Sequence, residues 1–194
     1  MNKHIILAIC TMALPLVTCA QQANATRYRG PRCLGEFCFD GALTSIRQLI
    51  SRFGPKTSEE NVFCYQAVDQ GAYVYFIPTD DNPPDVIELL VTQEPNCAPA
   101  SGVQPPKQRF QRFITREGIG LGDAEERVLT VYGAPSQISG DDFELRRFLR
   151  RSGNTAVKTL FYSAYLSGDE SDLTHAAFYI RHGKVVGILL SRNE

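Results

Sequence analysis

The stretch from Gly118 to Pro135, GIGLGDAEERVLTVYGAP, constrains the fold of this chain more than any other. It contains a turn, an amphipathic helix and a stop within eighteen residues. Asp123 is spaced to act as N-cap, with Glu126 three positions on to return the bond as a capping box. Glu125 and Glu126 place negative charge where the helix dipole is positive. Ala124, Val128 and Tyr132 recur at helical spacing with Leu129 beside them, which makes one apolar stripe. Gly133 is expected to take a left-handed conformation at the helix end, and Pro135 prevents the helix from resuming.

An earlier segment has the same character. Ile46, Leu49, Ile50 and Phe53 form a helical stripe, Thr44 is placed to cap it, and Gly54-Pro55 ends it. Strands are expected after each helix: Val62 to Gln66, Ala72 to Ile77 and Val86 to Thr92 after the first, and Val157 to Leu166, Thr174 to Arg181 and Val185 to Leu190 after the second. Phe110 to Thr115 reads as a further strand, and His182-Gly183 as a tight hairpin. Residues 141–153 read as a short inserted helix, with a strand as the alternative. The two helix stops, at Gly54 and Gly133, lie 79 residues apart. The order predicts an α+β fold of two related helix-on-antiparallel-sheet units, a tandem repeat with both helices on one sheet face. The expected spans are 40–97 and 109–194, joined by a proline-punctuated linker over 98–108 and preceded by an irregular arm over 26–39.

Residues 1–25 are of another kind. Lys3 precedes an apolar run from Ile5 to Val17, and Ala23-Asn24-Ala25 supplies a small-x-small cleavage site, so this segment reads as an export signal. A cut after Ala20 is the alternative. Leu16-Val17-Thr18-Cys19 also resembles a bacterial lipobox, and processing there would anchor the chain to a membrane at Cys19. The expected location is therefore periplasmic or secreted. Cleavage after Ala25 would leave 19 cations against 21 acids, a balance with no general attraction for nucleic acid. It would also leave four cysteines. In an exported chain an even count predicts two disulfides, and of the three connectivities that four cysteines allow, Cys33–Cys38 with Cys64–Cys97 is the favoured one.

The residues Gly118, Ile119, Gly122, Asp123, Val128, Leu129, Tyr132, Gly133 and Pro135 carry a family resemblance. Their pattern resembles the repeat of β-lactamase inhibitory proteins, and is similar to the small lipoprotein of the outer-membrane β-barrel assembly machinery. The resemblance implies an exported αβ unit whose helices cover one sheet face and leave the other for a partner. It implies no catalytic activity.

No catalytic residue, metal site or cofactor is assigned. The turn Gly118-Ile119-Gly120-Leu121-Gly122 is followed by Asp123 where a dinucleotide-binding turn needs its third glycine, and that carboxylate would repel a pyrophosphate. The acidic segments Asp80-Asp81-Asn82 and Asp169-Glu170-Ser171-Asp172 lack a full calcium-loop pattern. Two binding surfaces are expected instead. Strand alternation points Tyr73, Tyr75, Tyr179 and Arg181 away from the helices, and tyrosine and arginine are frequent interface anchors. Arg146, Arg147, Arg150 and Arg151 on the inserted helix could grip carboxylates or phosphates, including those of an anionic envelope component. The function expected is noncovalent binding or inhibition of a protein in the bacterial envelope. The alternatives are a structural or assembly lipoprotein and, third, a hydrolytic enzyme.

Overall fold

A computed structural model describes residues 30–38, 44–54, 62–78, 85–93, 106–139, 157–165 and 173–192. The expected signal segment, the inserted helix with its four arginines, both acidic segments and Cys97 lie outside the described residues. Strands dominate. In chain order they are β1 (Cys33–Leu34), β2 (Phe37–Cys38), β3 (Thr44–Ser45), β4 (Phe63–Ala67), β5 (Ala72–Pro78), β6 (Asp85–Thr92), β7 (Gln137–Ser139), β8 (Lys158–Tyr165), β9 (Leu173–Arg181) and β10 (Lys184–Arg192). Two eight-residue helices interrupt them, α1 (Ile46–Phe53) and α2 (Glu125–Tyr132).

Eight strands form one sheet, in the order β4-β5-β6-β10-β9-β8-β7, with β3 paired to the start of β6. Each pairing is antiparallel. This corrects the expectation of two helix-on-sheet units. The last strand, β10, lies against β6, with Gly187 opposite Thr92 and Ser191 opposite Glu88. Pairing these two apolar strands removes the free edge that each half would otherwise expose. The helices contribute little of the chain, and the fold is a sheet with two short helices laid on it.

The buried residues of α1 (Leu49, Phe53) and of α2 (Val128, Tyr132) belong to one apolar cluster with Val74, Phe76, Leu89, Leu160, Phe178 and Ile188 from the sheet. Helix entry differs from the expected caps. Ser45 rather than Thr44 caps α1, accepting a hydrogen bond from the Gln48 amide at 3.3 Å. Ala124 occupies the N-cap position of α2 and has no side-chain bond to offer, which leaves Asp123 one residue too early to cap. Asp123 instead accepts from the Gly120 amide at 2.8 Å and pairs with Arg127 at 2.7 Å, which closes the turn in front of the helix. The same turn is held to the β9–β10 hairpin by bonds from Gly122 N–H to Val185 O and from Val185 N–H to Asp123 O.

Both helices end on a glycine with positive φ, Gly54 at 105° and Gly133 at 76°. The ψ of Gly133 is −159°, so its conformation is extended in ψ and not left-handed helical. In each case a buried tyrosine hydroxyl from the sheet donates to the glycine carbonyl: Tyr65 to Gly54 at 2.9 Å and Tyr162 to Gly133 at 3.0 Å. Burial pushes the Tyr65 hydroxyl up to about 12. Burial, with the Glu125 carboxylate nearby, does the same to Tyr162.

Two further expectations are corrected. The N-terminal arm is not irregular: β1 and β2 form a hairpin closed by the Cys33–Cys38 disulfide, and its Leu34 and Phe37 are buried in the main core. The segment from Phe110 to Thr115 is not a strand. It forms no ladder, and its strand-like pairings are isolated bridges, Leu34 with Thr115 and Ile114 with Gly120. Phe110 and Phe113 stack toward Phe53 and Phe37 as aromatic plugs. Cys64 is also disulfide-bonded. An intact disulfide hairpin fits an oxidising, exported environment. Among the described residues no helix is long and apolar enough to cross a membrane.

Candidate functional site

The tyrosine face of the sheet is the first place to look. Tyr73, Tyr75 and Tyr179 do lie opposite the helices, in or against a second apolar cluster with Cys64, Leu90, Ala177, Val186 and Leu189. That face is not open at its centre. Tyr75 and Tyr179 are each only 1% exposed, so as contact residues they are corrected. Tyr75 sits between its cross-strand partners Cys64 and Leu90. Tyr179 lies over Gly187 on the neighbouring strand, where an added Cβ would meet its ring at 3.0 Å. A glycine opposite an aromatic gives the ring a place to lie flat on the sheet, and its area leaves solvent. Tyr73 and Arg181 are half-buried, and Tyr73 accepts a hydrogen bond from Gln66 at 3.4 Å. His175 is half-buried on β9 and His182 is exposed in the hairpin turn. Among the described residues no three His, Cys, Asp or Glu side chains gather to hold a metal ion.

A groove on the helix-bearing side is better formed. It lies between the single 3-10 turn Val68–Gln70, which joins β4 to β5, and the irregular segment that runs from Pro106 through the Gly118 turn. One depression of about 700 Å³ is bounded by Gln70, Phe113, Ile114, Gly120, Leu121 and Arg127 among others. A second, of about 310 Å³, is bounded by Gln66, Val68, Pro106 and Arg109. Asp69 and Phe110 line both, so the two adjoin.

The walls are held firmly. The Gln70 side chain reaches across the groove, donating to the Phe110 and Gln111 carbonyls at 3.3 and 3.1 Å and accepting from the Phe113 amide at 2.8 Å. These bonds give an irregular stretch of backbone the partners that a strand would have supplied. Phe110 and Phe113 anchor the same stretch in the core. On the far wall, Gly120 packs so closely that an added Cβ would lie 3.1 Å from Ile114. The Asp123–Arg127 pair, itself part of the lining, braces this turn.

Two apolar side chains stand at the rim, Val68 at 66% and Ile114 at 36% exposure. Arg109 and Arg112 line the depressions, and the same segment carries two more exposed cations, Lys107 and Arg116. The ion pairs among the described residues are Arg52–Glu36, Arg127–Asp123 and Lys158–Glu125, and none of these four takes part. Reading Phe110 to Thr115 as a strand hid this arrangement, because alternation by two puts Arg112 and Phe110 on the same side. The legible signal was a spacing of three. Phe110 and Phe113 turn inward while Arg109 and Arg112, each one residue earlier, turn out. Of the expected site residues, then, the structure leaves Tyr73 and Arg181 partly accessible on one face and assembles unpredicted residues into a groove on the other. No protein-family model, curated protein or solved structure matches the chain.

Proposed function

We propose that this chain is an exported, noncovalent binding protein that takes a segment of a partner protein into the adjoining depressions beside the Gln70 bridge, which the Val68–Gln70 turn and the Pro106–Gly120 segment line. The observation that carries this reading is a preformed groove with aromatic anchors beneath it, braced walls, and Val68 and Ile114 exposed at its rim. Concave sites that combine apolar anchors with fixed polar groups are the usual places for a ligand, and the larger depression here is mainly polar, with Phe110, Phe113 and Ile114 among its lining. Exposed apolar side chains beside such a site are suited to become its buried anchors. The Gln70 clamp favours binding without rearrangement, which limits the entropy lost on association. The likeness of the Gly118–Pro135 pattern to inhibitory and assembly proteins of the envelope supports a binding role. The Cys33–Cys38 disulfide supports export.

Photocrosslinking tests the proposal. A benzophenone amino acid at position 68 is expected to capture a discrete protein partner in cells, while the same group at the exposed Ile138, on edge strand β7, is not. Val68→Asp should reduce recovery of that partner at least about tenfold and change stability by no more than about 0.5 kcal/mol. Equal capture at both positions, or capture at neither, would end the reading.

A further inference from the structure

The groove carries a charge asymmetry that says what kind of segment it would take, given the binding reading above. From Lys107 to Arg116 the sequence KQRFQRFITR holds four cations and no acid, in a chain whose formal net charge is −1. All four are exposed and take no part in the ion pairs among the described residues. Of the groove's own acids, Asp123 is already committed to Arg127 and the Gly120 amide, which leaves Asp69 to oppose Arg109 and Arg112. Unpaired guanidinium groups beside an apolar surface bind carboxylates well, because their planar forks match a carboxylate and their stems can lie along apolar neighbours. The alternation in this segment serves that geometry: each phenylalanine holds the backbone down while the preceding arginine is held up at the rim.

We infer that the partner segment is an acidic stretch of polypeptide with apolar side chains among its carboxylates. The apolar groups seat against Val68, Phe110 and Ile114, and the carboxylates pair with Arg109 and Arg112. A membrane surface or a polyanion would use the cations but would have no need of the groove.

The test uses the full chain and three fluorescein-labelled dodecapeptides in which Leu and Phe alternate with Glu, with Gln or with Lys. In 50 mM salt the Glu peptide should bind at least about tenfold tighter than the Gln peptide, and the Lys peptide more weakly than either. Raising salt to 0.5 M should erase most of that advantage. R109E/R112E should weaken the Glu peptide by at least about tenfold. R47E, which makes half that charge change on the exposed side of α1, should not weaken it by even half as much in free energy. Thermal midpoints of both variants, read in parallel, establish that each is folded. Equal binding of the Glu and Gln peptides, or indifference to R109E/R112E in a folded variant, would overturn the inference. So would binding to phosphatidylglycerol vesicles that depends on Arg109 and Arg112 and ignores Val68→Asp, since that would assign the cations to a membrane. A position-68 crosslink that maps to a neutral or basic partner segment would remove the acidic preference and leave the binding reading intact. Tight Glu-peptide binding with no protein crosslinked in cells would do the reverse.

Discussion

Replacing Tyr65 and Tyr162 by phenylalanine, singly and together, tests how the two helices are tied to the sheet. Each hydroxyl donates to the carbonyl of the glycine that ends a helix, at 2.9 and 3.0 Å, and each tyrosine is almost wholly buried. The substitution preserves the ring packing against Phe53 and Phe76, or against Tyr132 and Phe178, and removes only the donor. Losing that bond and stranding a carbonyl should cost about 1–2 kcal/mol per site at pH 7. The two sites share no partner, so the double variant should lose close to the sum.

The pH dependence gives a sharper test. Both hydroxyls sit at about 12 in the folded chain, above their ordinary value of 10.0. A raised value means the folded state holds its proton after the unfolded state has released it. The stabilisation is therefore complete below pH 10 and is lost as pH rises toward 12. Across that window each tyrosine lowers unfolding free energy by up to about 1.4 kcal/mol per pH unit, a slope the phenylalanine variants lack. A variant 1–2 kcal/mol weaker at pH 7 should thus match the parent between about pH 10.5 and 11.5 and exceed it above. Urea unfolding followed by far-UV circular dichroism at several pH values would measure this. Stability curves that run parallel from pH 8 to 12 would refute the argument, since they would mean the hydroxyls titrate equally in both states.

Leu34→Ala should cost about 3 kcal/mol in the same urea experiment, because the disulfide hairpin delivers this fully buried side chain into the main core. A loss below about 1 kcal/mol would place the hairpin outside the cooperative fold. Asp123→Ala should cost about 1–2 kcal/mol and speed hydrogen exchange at the Gly120 amide, whose acceptor it removes. Unchanged exchange at Gly120 would show that the turn does not need the carboxylate.

Legibility differed by region for physical reasons. The main strands and both helices announce themselves because periodicity of two or of 3.6 is a local property, written in residues such as Tyr73 to Phe76 and Leu49 to Phe53. The Cys33–Cys38 bridge was legible because so short a spacing leaves few alternatives. The groove was not legible. Its walls depend on Gln70 meeting Phe113 across forty-three residues, and no local pattern encodes that meeting. The aromatic and cationic order in Arg109 to Phe113 looked like strand alternation because the contacts that decide against it are distant.

By itself the amino-acid sequence determined the short-range choices: where helices stop, which strand residues share a face, which cysteines close a small loop. Tertiary structure alone decided that β6 and β10 join the two halves into one sheet, and that Tyr75 and Tyr179 are buried while Val68 is not. Alternation assigns a side chain to a face, but exposure depends on what packs against that face. Tyr179 is buried in the second apolar cluster with its ring against Gly187 on the neighbouring strand, whereas Val68 borders an open groove.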